Sequence, residues 1–179
     1  MLTVKRPKTI DDLMRLPPET RAELIEGEIF MSPAPHPKHQ MAIGNIFRGV
    51  ENQAREGGWG RVFVAPVDVV LEDEVVEPDV LFIATSRLGI VRDRIEGAPD
   101  LVVEVLSPST EVRDRVVKRA LYAKNGIREY WIVDVDAKSV EVLKLAGTAY
   151  GLHAVFEAGD RITSPVLPGL SLPVADVFA

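Results

Sequence analysis

The segment from Asp100 to Asp134 constrains this chain most. Leu101-Val102-Val103-Glu104-Val105-Leu106 is apolar at all but one position, the pattern of a strand buried on both faces. Ser107-Pro108-Ser109-Thr110 then offers cap residues, with a proline suited to a first helical turn. The pattern predicts a helix to about Asn125, closed by Gly126, and a second buried strand from Glu129 to Asp134. Strand, helix and strand in that order make a parallel crossover, which places the chain among the α/β folds.

The flanking segments fit that class. Thr9 to Leu16 reads as a short capped helix stopped by Pro17-Pro18, and residues 23–32 read as a hairpin turning at Glu26-Gly27-Glu28. From His39 to about Arg55, Met41, Ile43, Ile46, Phe47 and Val50 recur at helical spacing, and Gly57-Gly58 ends that helix. Arg61 to Pro66 and Val67 to Leu71 read as strands continuous across a bend, and Asp79 to Ala84 as another. Val140 to Leu145 and Leu152 to Glu157 suggest a terminal antiparallel meander, with Leu167 to Leu172 as an ordered edge element. The expected architecture is one domain over residues 1–179, a mixed β-sheet flanked by helices.

Composition removes several function classes. The chain has no cysteine, which excludes disulfides, thiol catalysis and cysteine-ligated zinc. No apolar run reaches the roughly 18 residues of a membrane span, and Met1 to Pro7 has no apolar stretch of a signal peptide, so a cytoplasmic protein with no membrane contact is expected. The net charge of −6 argues against electrostatic coating of nucleic acid, though a local basic patch is compatible with it.

Glu104 is the residue least at home in its segment. An ionised carboxylate is rarely buried unless it is paired or metal-bound. It is therefore either half of a structural ion pair or a functional acid. Asp79, after Pro78, opens the apolar run Val80-Leu81-Phe82-Ile83, and Pro99-Asp100 is a second Pro-Asp pair. Asp100 is four residues from Glu104 on the same strand, ~13 Å away at about 3.3 Å per residue, too far to share one ion. Asp79, on another strand, is preferred, and Asp100 is left as an entrance charge. Asp114, Lys118 and Tyr122 follow at i, i+4 steps, either a solvated helical stripe or one aimed at Glu104. His39 is either an early-turn surface residue or a border of the site.

Pro78-Asp79 followed at a distance by Glu104-Val105-Leu106 resembles the PD-(D/E)XK nuclease signature without its final lysine. Further segments are similar to one branch of that superfamily: Glu23-Leu24-Ile25-Glu26-Gly27-Glu28, Met31-Ser32-Pro33-Ala34-Pro35, and His39 at the long helix. Val102 to Thr110, Asp114 with Lys118 and Tyr122, and Gly126 to Asp134 continue the likeness. The branch is the Uma-two family of restriction-type endonucleases, and the resemblance runs from about Ile10 to the Gly169-Leu170 tail.

The resemblance implies a restriction-endonuclease-like core in which Asp79 and Glu104 match the metal-binding acids. Leu106 stands where the superfamily has lysine, and Lys118, on the helix, occupies the place from which this branch draws it. Glu26 would match an additional acid near the metal. The expected chemistry is phosphodiester hydrolysis, with Mg²⁺ (or Mn²⁺) held by Asp79, Glu104 and the Val105 carbonyl. The expected partners are nucleic acid, DNA foremost, and a second copy of the chain in a homodimer. The alternative is a nuclease-fold binding or assembly module without turnover. Asp79, Glu104 and Lys118 are expected to meet in one cleft at the sheet's edge, with Glu26 nearby.

Overall fold

The computed structural model describes residues 6–17, 19–32 and 34–179. Met1 to Lys5, Pro18 of the expected helix stop, and Pro33 lie outside the described residues. Thr9 caps α1 (Ile10–Met14): its hydroxyl accepts the Asp12 amide at 3.3 Å, and Asp12 accepts the Thr9 amide at 3.0 Å. The hairpin follows as β1 (Ala22–Ile25) and β2 (Glu28–Met31). Its turn residues Glu26 and Gly27 have φ of 51° and 72°, the positive values of the tight turn that matches strand twist. α2 (Pro37–Gly57) begins with its proline, two residues before His39, and ends at left-handed Gly58.

The two runs around Pro66 are not one strand. β3 (Gly60–Val64) and β4 (Val69–Leu71) belong to different sheets. Pro66 between them has no amide proton to continue a ladder. Next come β5 (Glu74–Val76), β6 (Val80–Ala84), a 3-10 segment (Thr85–Ile90), β7 (Ile95–Glu96) and β8 (Leu101–Val105). The helix α3 covers residues 111–124: Arg113–Lys118 is π-helical and Arg119–Lys124 α-helical. Then follow β9 (Glu129–Asp134), β10 (Ser139–Ala146) and β11 (Ala149–Phe156). β12 (Arg161–Ile162) pairs with β13 (Leu172–Pro173) before α4 (Val174–Val177).

The larger sheet has the order β11-β10-β9-β8-β6-β3. Only β8 and β9 are parallel in it, joined by α3 in the expected crossover. The smaller sheet has the order β2-β1-β5-β4-β7. The fold is therefore α/β with mixed sheets flanked by helices.

Strand alternation assigns the faces of β8. Leu101, Val103 and Val105 pack on Ile43, Ile46 and Val50 of α2. Val102 faces the other way, with Leu121 and Tyr122 of α3 and Ile25 and Leu71 of the smaller sheet. Glu104 shares that second face. The helical spacing of α2 places Ile43, Ile46 and Val50 inside, but Met41 remains 55% exposed, one step off the buried stripe. No helix among the described residues is long and apolar enough to cross a membrane.

Candidate active site

The site forms where β6 begins and β8 ends. These strands are antiparallel, with Val80 opposite Val103, so Asp79, just before β6, arrives beside Glu104 and Val105. The Val105 amide donates to Asp79 Oδ2 at 2.8 Å. His39, near the start of α2, donates from Nε2 to the Val105 carbonyl at 2.7 Å, and that nitrogen is 3.6 Å from Asp79 Oδ2.

α3 closes the Glu104 face. Lys118 Nζ donates to Glu104 Oε1 at 2.8 Å, and the Tyr122 hydroxyl donates to the same oxygen at 2.6 Å. Lys118 Nζ is also 2.8 Å from Glu23 Oε1 and 3.7 Å from Asp114 Oδ1. The wide π-helical turn carries Asp114 and Lys118; residues four apart remain close to one face there, so Asp114 lies beside the ammonium that reaches the strand. Glu23, on β1, also accepts the Glu77 amide at 2.9 Å. Larger sheet, helix and smaller sheet thus meet at one ammonium group. The cleft over them has a volume of about 410 Å³ and is lined by Glu23, His39, Asp79, Glu104, Asp114 and Lys118 among others.

Burial governs the electrostatics. It is the largest cause holding Glu104 well above the usual carboxylate range, with Lys118 pulling back and Asp114, Asp79 and Glu23 pushing further up. Burial likewise raises Asp79, against His39 and the Val105 amide, and raises Asp114, against Lys118. For Lys118, burial favours the neutral amine, but Glu104, Glu23 and Asp114 outweigh it and lift the ammonium above its ordinary value. The group therefore stays a cation at neutral pH. Tyr122 is raised by burial and then by Glu104, so it stays a neutral donor.

Among the described residues no group of three or more His, Cys, Asp or Glu side chains is arranged to hold a metal ion. A smaller donor set is present. No described residue donates a hydrogen bond to Asp79 Oδ1 or Glu104 Oε2, because their bonds fall on Oδ2 and Oε1. Both residues line the cleft. Two such oxygens fit a hard dication that keeps several waters.

The sequence matches a family described as "Uma2: Putative restriction endonuclease" over residues 10–175. This chain belongs to the Uma2 family. A solved structure described as a putative nuclease of DUF820 from Anabaena variabilis is similar to it throughout. It is 25% identical with a TM-score of 0.79, covering 96% of this chain and 98% of the other. No curated protein matches.

In this Uma2 chain Asp79, Glu104 and Lys118 are brought together, and Asp114, Tyr122 and His39 join them. Glu26 is not. It sits in the hairpin turn, solvent-exposed, its amide donating to Glu74 Oε2 at 2.8 Å. The acid that reaches the cluster is Glu23, 3% exposed, three residues earlier. The sequence sets Glu23 beside the apolar pair Leu24-Ile25, but its burial with all of β1 follows from the pairing of that strand on both sides. Asp100 is not an entrance charge. It is fully buried at the far end of β8, where Ala84 N, Arg87 and Arg128 donate to it at 2.7, 2.8 and 2.6 Å. The cleft is not at the sheet's edge either, because β8 has neighbours on both sides.

Proposed function

We propose that this Uma2 protein is a metal-dependent endonuclease that hydrolyses phosphodiester bonds, with DNA as its substrate. The observation that carries this reading is the approach of Lys118 Nζ to Glu104 Oε1 at 2.8 Å, beside Asp79. A lysine from the helix thereby stands in for the one missing at Leu106.

Asp79, Glu104 and the Val105 carbonyl would hold the ion; the carbonyl has a second lone pair beside the one His39 uses. Mg²⁺ or Mn²⁺ bound there would polarise a phosphoryl oxygen and lower the pKa of a coordinated water. Lys118 and Tyr122 both take Oε1 of Glu104, which orients the other oxygen. Lys118 supplies a fixed positive charge beside the reacting phosphate. His39 holds the end of β8 against α2. A homodimer would bring two sites to opposite strands, and the cytoplasm is the compartment we assign.

One observation favours the alternative, a nuclease-fold binding module without turnover: Lys118 is already committed to Glu23 and Glu104. Supercoiled plasmid incubated with wild type and Asp79→Asn, in Mg²⁺, Mn²⁺ or EDTA, separates the readings. Nicked or linear product from the wild type alone, and only with metal, supports the endonuclease. Metal-binding heat without cleavage supports the binding module. Neither heat nor cleavage removes both.

A further inference from the structure

A phosphodiester entering the cleft meets the carboxylates of Glu23, Asp79, Glu104 and Asp114. It needs a cation whose hydrogen bonds are not already taken. Lys118 is surrounded by Glu23, Glu104 and Asp114. Arg21, which also lines the cleft, donates both Nε and Nη2 to Glu77 at 3.1 Å.

Arg113 differs from both in its hydrogen bonds, though it too is ion-paired, to Glu23 at 3.8 Å. It lines the same cleft, one residue before Asp114 on α3. Its guanidinium lies over the Phe30 ring of β2, 4.8 Å from the centroid. Among the described residues it donates no hydrogen bond. Its Nη1 is shielded from solvent without a hydrogen-bond partner, and Glu23 Oε2, at 3.8 Å, is beyond hydrogen-bond reach. Its Nε and Nη2 likewise have no acceptor among the described residues, and a phosphate oxygen at that edge would supply one. Stacking on Phe30 fixes the plane of the group and leaves its N–H edge for an acceptor. A planar fork of this kind matches the oxygens of a phosphate.

We propose that Arg113 binds the substrate backbone, donating to the non-bridging oxygens of a phosphate in the cleft. This rests on the nuclease reading and names the substrate contact that the acids and Lys118 do not supply. The helix that carries the lysine to Glu104 therefore also carries the residue that grips the nucleic acid.

Fluorescence anisotropy with labelled single- and double-stranded oligonucleotides tests it, in Ca²⁺, which takes the same oxygen ligands as Mg²⁺. Arg113→Gln is expected to weaken binding about ten-fold or more. It should also flatten the slope of log affinity against log salt, by about 0.9 on duplex or about 0.7 on single strands. Arg113→Lys, which keeps the charge without the fork, should keep the slope and recover part of the affinity. If Arg113→Gln fails to fold, the arginine side-chain N–H resonances of the wild type decide. The Arg113 signal, assigned by its loss in Arg113→Lys, should shift when oligonucleotide is added. Unchanged affinity and slope in Arg113→Gln, or an unmoved Arg113 signal, overturns the proposal and leaves the nuclease reading to the plasmid assay. Wild-type protein that binds no oligonucleotide overturns it as well, and the plasmid assay then shows whether the nuclease reading falls too.

Discussion

Lys118 and Glu104, fourteen positions apart, share a 2.8 Å charge-assisted hydrogen bond between α3 and the end of β8. Burial makes that bond consequential, since both side chains are about 95% withdrawn from water. The ammonium is the common partner of acids from three different elements, so removing it and removing one acid have different results.

Lys118→Met should be the most damaging single change at the site. It leaves Glu23, Glu104 and Asp114 buried together without their cation. Breaking a buried ionic cluster in this way costs about 3–5 kcal/mol. Urea unfolding at neutral pH in EDTA measures it; a loss below about 1 kcal/mol would show that the cluster is not holding the fold.

Glu104→Gln should behave differently. Lys118 keeps Glu23 and Asp114, and the amide oxygen still accepts from Tyr122 and Lys118. Metal-free stability should therefore fall by clearly less than the ~3–5 kcal/mol of an orphaned charge. Stabilisation by Mg²⁺, about 2.7 kcal/mol for wild type at 100 times the dissociation constant, should vanish together with cleavage. Melts of both proteins with and without Mg²⁺ read this directly. A variant that is strongly destabilised without metal yet keeps wild-type metal affinity would make Glu104 a structural residue.

The raised acids set a pH dependence with a definite sign. Glu104 lies well above the ordinary carboxylate range and Asp79 and Asp114 above theirs, chiefly through burial. Such groups bind protons more readily folded than unfolded. The stability they contribute is complete below their unfolded values, around pH 4, and is lost as pH rises through the folded ones. In EDTA, the melting temperature of wild type should decline over that rise more steeply than that of Glu104→Gln. Added Mg²⁺ should flatten the difference. Parallel curves in EDTA would contradict the raised acid.

Glu26→Asn should leave cleavage unchanged and stabilise the protein. Glu26 is exposed at a φ of 51° in the hairpin turn, a conformation that asparagine tolerates better. A gain of up to about 1 kcal/mol is expected, part of the ~1–2 kcal/mol that a left-handed residue costs. Loss of cleavage in this variant would return Glu26 to the site.

Much of the fold and part of the site are legible in the sequence. The apolar run at β8, the capped helix after it and the second run at β9 each carry local signals, and together they impose a parallel crossover. Glu104 was conspicuous because a charge inside such a run conflicts with its neighbours. Helical spacing put Asp114, Lys118 and Tyr122 in one stripe, though not which way the stripe faced.

Other features depended on partners distant in sequence. Glu23 and Glu26 are both acids in one hairpin, and only the pairing of β1 with β2 and β5 buries one and exposes the other. Asp79 and Asp100 both follow a proline. The antiparallel register of β6 against β8 carries Asp79 to the end bearing Glu104 and leaves Asp100 at the other. The two runs flanking Pro66 read as strands continuous across a bend because period and composition do not record which sheet a strand joins. Local chemistry determined which segments became strands and helices and which acid was out of place. Long-range pairing and desolvation decided which charges met, because they depend on distances that spacing along the chain does not contain.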